Sequence, residues 1–266
     1  MSGCFEVVIA LAAPVAYQSR RPLFPLTFDA LLGALAAYRE GRIDPPAAKE
    51  IRDLKLPLEE GGREKRFYLA SAVYFDRPAL VRSFNWTRMG DWTDAAYRCA
   101  KTGRGGKNPL AEDPNPASGA FRRWRNSLLV VSAPYCRFWF RGDRAAVEDL
   151  LAGLSHVGAR RAAGFGKVAD VAVRPCPHDL TTTSPQGFAM RPLPVDEAPE
   201  GAKGMAAWAA YRPPYWDPAN AALCYLPPAE WWLPLEEPLP PSQTAGAGKS
   251  PGNQEPAEET EDEEAV

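Results

Sequence analysis

Hydrophobic and polar positions along the chain follow a strand rhythm first and a helical one afterwards. Phe5 to Ala13 (FEVVIALAA) is dense in β-forming residues and predicts a buried strand. After a linker holding Arg20, Arg21, Pro22 and Pro25, Thr27 stands at the N-cap of a helix running to about Arg39. Its Phe28, Leu31, Leu32 and Leu35 have the i, i+3, i+4, i+7 spacing of one face. Arg66 to Phe75 and Leu128 to Phe140 predict further strands, the second interrupted around Pro134. Asp143 caps a second helix that repeats the spacing through Val147, Leu150, Leu151 and Leu154, and Val168 to Val173 closes the series as a strand.

Strand, helix, strands, helix, strand is the order of a ferredoxin-like (RRM-like) α+β unit, in which two helices cover one face of an antiparallel sheet. The other face is then expected to be free for a ligand. Between 83 and 125 the pattern breaks into Trp86, Trp92, Tyr97, a glycine-lysine run and a proline-asparagine stretch, which predicts an inserted irregular lobe. From 175 to 241 the chain is proline-rich and carries Trp208, Trp216, Trp231 and Trp232. It predicts an irregular extension that wraps the core on aromatic anchors. One domain over 1–241 and a disordered acidic tail over 242–266 follow.

With 266 residues, 45% of them hydrophobic, the chain can bury a real core. The net charge of −2 hides a division, because residues 242–266 hold seven acidic side chains against Lys249 alone, leaving the body at +4. A mildly basic body with an acidic tail suits a protein that meets a polyanion. The same balance suits many soluble enzymes with solubilising tails. Five widely spaced cysteines with no CxxC pair indicate neither a disulfide framework nor a zinc site, and point to a reducing cytoplasm. No basic segment precedes the first apolar run, which is far shorter than a membrane span, so neither export nor membrane anchoring is expected.

The candidate chemistry concentrates in His156 to Val168, HVGARRAAGFGKV. Glycines at 158, 164 and 166 let the main chain turn with positive φ and approach a ligand, and free amides in such a turn form an anion-binding concavity. Arg160, Arg161 and Lys167 add positive charge at the same place. Dinucleotide binding would need GxGxxG after a strand and before a helix, and here the order is reversed. A phosphate-binding Walker loop fails too, because Gly166-Lys167 is followed by Val168. A glycine-rich helix-to-strand turn serving only as a cap is the plain alternative, although capping does not require two adjacent arginines.

A helix, then a glycine-rich loop with paired basic residues ending Gly164-Phe165-Gly166-Lys167-Val168, then a strand resembles the signature of the CRISPR RAMP superfamily. Pro25-Leu26-Thr27-Phe28-Asp29-Ala30-Leu31-Leu32 is similar to the start of the first helix in RAMP subunits of type III and especially type IV systems. The likeness covers most of residues 1–174, and its nearest form is the type IV subunit that corresponds to the fifth CRISPR-associated family. The resemblance implies a non-catalytic subunit that binds the 5′ handle of the CRISPR RNA and caps a filament of backbone subunits. It implies partners in the backbone and the large and small effector subunits, a helicase among the candidates, and target DNA through the assembled complex. No cofactor is implied.

Further basic candidates stand outside the loop. Arg122-Arg123-Trp124-Arg125 offers guanidinium forks for phosphate and an indole for stacking an unpaired base, or else a solvated helix end. Lys101, Arg104 and Lys107 lie among glycines, as in an arm that orders on nucleic acid or in a plain surface loop. Arg20-Arg21 follows the first strand at the end of the sheet, and Lys65-Arg66 precedes a strand that can share the groove. For catalysis, metal-free RNA cleavage typically moves protons through histidine, and the chain has His156 and His178 only. His156 sits at a helix end where the dipole suffices to explain it. No HxxxH, HExxH, DxD or GxSxG occurs, so metal-dependent hydrolysis and acyl transfer are not expected. A guide-processing endoribonuclease of the same superfamily and a backbone subunit of the filament remain the alternatives.

Overall fold

The computed structural model describes residues 3–18, 25–41, 55–76, 80–88 and 124–228. At the centre lies an antiparallel sheet of β1 (Cys4–Leu11), β5 (Tyr74–Asp76), β8 (Tyr135–Arg141) and β9 (Val168–Cys176), in the order β5-β8-β1-β9. Period-2 alternation sorts β1, sending Phe5, Val7, Ile9 and Leu11 to the apolar core and Glu6 and Val8 to the opposite face. Two helices close the core side: α1 (Phe28–Arg39) and α2 (Arg144–Leu151). Phe28 is fully buried, with its ring centroid 5.2 Å from Phe138 and 5.3 Å from Phe140. Burying a side chain of that size contributes roughly 1.5–3 kcal/mol.

Both helices start where the sequence places them, by different means. The Asp143 carboxylate accepts from the Ala146 amide at 3.2 Å and caps α2. Thr27 occupies the N-cap of α1, yet its hydroxyl leaves the helix amides alone and donates to Tyr215 Oη at 2.8 Å.

The expected strand Arg66–Phe75 is broken into β4 (Phe67–Tyr68) and β5, with β4 paired to β3 (Glu60–Gly61). Between them the Ala70 amide folds back on the Tyr68 carbonyl at 2.9 Å, and the Arg191 guanidinium donates to the carbonyls of Tyr68 and Ala70. Ser71 adds a side-chain bond to the ladder, accepting from the Trp139 amide at 2.9 Å. Leu128 to Phe140 is likewise two strands, since β7 (Trp124–Ser132) and β8 separate at Pro134 and enter different sheets. The second sheet has the order β2-β7-β6, with β2 at Val15–Gln18 and β6 at Leu80–Arg88. Residues 83–88 and 124–125, expected to be irregular, are therefore strand, paired antiparallel from Leu80↔Ser132 to Arg88↔Trp124. Pairing with a long partner overrides a local pattern that carries Arg82, Asn85 and Arg88. The rest of the expected lobe, with Lys101, Arg104 and Lys107, lies outside the described residues.

The C-terminal extension is not irregular. It builds a third sheet, β10-β12-β11, from Leu193–Pro194, Ala221–Leu226 and Met205–Ala210. A second core of Phe67, Leu193, Ala209, Tyr211, Ala222, Cys224 and Leu226 sits beneath it. Of the expected aromatic anchors, the two among the described residues stay outside that core: Trp208 is 72% exposed and Trp216 62%. Trp231, Trp232 and the acidic tail lie outside the described residues.

What fastens the extension to α1 is a buried charge cluster. Arg191 and Asp29 are both fully buried and paired at 3.1 Å. The same guanidinium donates to the carbonyls of Ala70 at 3.0 Å and Tyr211 at 2.5 Å and lies 5.1 Å from the centre of the Phe67 ring. The Tyr215 hydroxyl bridges the Asp29 oxygens at 2.8 and 3.0 Å. Burial pushes the Tyr215 phenol well above its ordinary pKa, which keeps it a donor to that carboxylate.

Candidate nucleic-acid interface

The glycine-rich loop is a hairpin welded to the protein by its main chain. Val157 and Val168 donate to the carbonyls of Gly166 and Ser155 at 2.8 and 2.9 Å and close its neck. Ala159 donates to Ala16 and Gly166 to Pro14, both at 2.7 Å, so the loop lies along the free edge of β2 and extends the second sheet. At the tip, Ala163 and Gly164 donate back to Arg160 and Arg161 around a 3₁₀ turn over Arg161–Ala163.

The amides of 157, 159, 163, 164, 166 and 168 are spent on carbonyls and hold the loop's shape. The glycines at 158 and 166 serve close packing. A Cβ on Gly166, at φ 66°, would stand 1.8 Å from the Val157 carbonyl oxygen, and one on Gly158 would stand 2.7 Å from that of Ala16. Gly164 differs: its φ of 85° requires glycine, but nothing lies within 4 Å of a Cβ there. Phe165 is half-buried on Ala16, Leu128 and Val130 and anchors the loop.

The loop's cations stand on this hydrogen-bonded base. Arg161 and Lys167 are exposed, and neither forms an ion pair among the described residues. Arg160 is half-buried and holds a left-handed conformation at φ 60° and ψ 37°, the sole non-glycine residue with positive φ among those described. Such a conformation costs a non-glycine residue about 1 kcal/mol. A rigid base with two solvated cations above it suits an extended polyanion.

The other predicted candidates fall partly within view. Arg20, Arg21, Arg122 and Arg123 lie outside the described residues. Trp124 and Arg125 open β7 opposite Arg88 and Thr87. Gln18 pairs with Leu128, so β7 runs on past the end of β2. Lys65 is held elsewhere, paired with Asp196 beside the β3–β4 turn.

The open face of the central sheet is not free along β8. Trp139 is 1% exposed and meets Tyr74 edge-on, while Arg137 is gripped by Glu6 at 3.0 Å and Asp76 at 2.6 Å. These pairs hold the Arg137 guanidinium firmly charged against the opposing cost of burial. His156 is half-buried with Nδ1 3.0 Å from the Ser155 hydroxyl.

Two arrangements escaped the sequence. One is the Arg191 cluster. The other is Glu197, whose carboxylate accepts from the successive amides of Arg63, Glu64 and Lys65 at 2.6, 2.8 and 3.0 Å. Those three bonds lower its pKa to about 2 and clasp the β3–β4 turn. Among the described residues no group of three or more His, Cys, Asp and Glu could hold a metal ion, and no helix is long and apolar enough to cross a membrane.

Comparison with known proteins gives three results. No curated protein matches the chain. Among solved structures, a chain from a cryo-EM structure of the type III-B Cmr-beta complex bound to cognate target RNA shares 13% identity and a TM-score of 0.35, over 65% of this chain and 61% of that one. The sequence profile of the CRISPR type IV associated protein Csf3 matches residues 4–227, which include both the Pro25–Leu32 segment and the glycine loop, and the chain belongs to that family.

Proposed function

We propose that this protein is a non-catalytic RNA-binding subunit of a type IV CRISPR effector complex, gripping the 5′ handle of the guide and capping the backbone filament. Its family supports membership of a type IV system. The observation that carries the RNA reading is the loop itself, pinned to Ala16 and Pro14 by the amides of Ala159 and Gly166 while Arg161 and Lys167 stay solvated. A capping turn alone would not keep two cations in water on so rigid a base. The ferredoxin-like assignment of the RAMP unit rests on the strand order β5-β8-β1-β9 with two helices on one face. Residues 175–228 then form an extension of that domain, locked through Arg191.

Affinity in this account comes from phosphate contacts, so binding weakens steeply with salt. Replacing Arg160 and Arg161 together by alanine lowers guide retention in the assembled, co-expressed complex and leaves its thermal unfolding unchanged. Undiminished retention contradicts the assignment. In this reading the subunit cuts no RNA. Incubation of the purified complex with repeat RNA in EDTA tests it, since cleavage at one phosphodiester would make the subunit a guide-processing ribonuclease.

A further inference from the structure

Cys4 and Cys176 are direct cross-strand partners in β1 and β9, and Cys4 faces Arg141 on its other side. Directly opposed residues in an antiparallel pair have Cα atoms about 4.5–5.5 Å apart, inside the span of about 4.4–6.8 Å that a disulfide bridges. Both thiols are free and partly exposed. The other described cysteines differ: Cys136 and Cys224 are sealed in the two cores and have no cysteine partner in strand register.

We propose that Cys4 and Cys176 form a redox site that reacts with hydroperoxides and closes a reversible cross-strand disulfide. The surroundings assign the roles. The Cys4 thiol and the main chain at His178 favour the Cys176 thiolate and lower its pKa against burial and the nearby Glu6. Cys4 is pushed up by Cys176, by burial and by Asp179, which is itself paired with Arg141 at 3.4 Å. In the proposal Cys176 acts as the nucleophile and Cys4 as the resolving thiol. Burial pushes the Cys136 thiol up and that of Cys224 to about 11, which leaves both unreactive.

In the first step the Cys176 thiolate attacks the peroxide oxygen, the O–O bond breaks, and one water departs after protonation, leaving a sulfenic acid. In the second, the Cys4 sulfur attacks the Cys176 sulfur, the S–O bond breaks, and the hydroxide leaves as water with the Cys4 proton. Two thiols and one hydrogen peroxide give one disulfide and two waters. The product ties the first residue of β1 to the last of β9.

The test treats the full-length protein with a small excess of hydrogen peroxide and follows intact mass and peptide maps under non-reducing conditions. The expected result is loss of two hydrogens per chain with a Cys4–Cys176 linked peptide, reversed by dithiothreitol. In Cys4→Ser the link disappears and dimedone captures a sulfenic acid on Cys176. In Cys176→Ser, Cys4 is left unmodified at the same dose. Stable oxygen addition at Cys176 of the wild type without a link, a link to another cysteine, or no reaction at either residue overturns the proposal.

Discussion

The glycine loop and the Arg191 cluster both centre on arginine and use it in opposite ways. In the cluster a fully buried guanidinium spends its donors on Asp29 and on the carbonyls of Tyr68, Ala70 and Tyr211. In the loop main-chain bonds to Pro14 and Ala16 pin the turn, and Arg161 and Lys167 are left in solvent. A buried cation whose donors are all used can only hold a structure together. A solvated one on a rigid platform is available to a partner. Partner saturation, and not residue type, separates the two.

The largest effect that sharpens this contrast is on stability. Arg191→Met strands the Asp29 carboxylate in the core, and breaking a buried pair in this way typically costs about 3–5 kcal/mol. Chemical denaturation measures it, and guide retention per folded subunit stays at the wild-type value. A variant as stable as the wild type would mean that the cluster does not fasten the extension.

Within the loop the glycines grade the next effect. Gly166→Ala drives a Cβ into the Val157 carbonyl and springs the hairpin from β2, so guide retention falls with local protection from hydrogen exchange. Gly164→Ala meets no neighbour and costs only the positive φ, about 1 kcal/mol, with the loop still docked. Equal damage from the two would show that backbone approach is not what shapes the loop.

The Glu197 clasp gives the smallest effect and a pH signature. Its folded-state pKa of about 2 lies below the unfolded carboxylate value of about 4.3, so its contribution is present above the higher value and is lost as pH falls toward the lower. The wild type therefore unfolds at a higher temperature than Glu197→Gln at pH 7, and the gap narrows on acidification through that window. A gap independent of pH would remove the carboxylate from the account.

Much of the central unit was legible because its signals are local. Alternation in β1, the i, i+3, i+4, i+7 stripe of α1 and α2 and the Asp143 cap each fix an element without distant help. β11 was not legible, since MAAWAA has weak strand propensity and no alternation, and only pairing with β12 makes it a strand. Asp29 read as an ordinary first-turn acid. Its partner lies 162 positions away, and the one local hint was an arginine set among Ala189, Met190, Pro192 and Leu193. The cations of the loop were plain in the sequence. The docking of Ala159 and Gly166 on Ala16 and Pro14 was not legible, because β2 is a strand that the sequence did not announce.

Photo-crosslinking tests the central claim most directly. With 4-thiouridine placed through the 5′ handle of the guide in the intact complex, irradiation and digestion are expected to yield adducts on peptides spanning 158–167, and these fade as salt is raised. Adducts on this subunit that map only outside the loop, with the loop peptides unmodified at low salt, would contradict it.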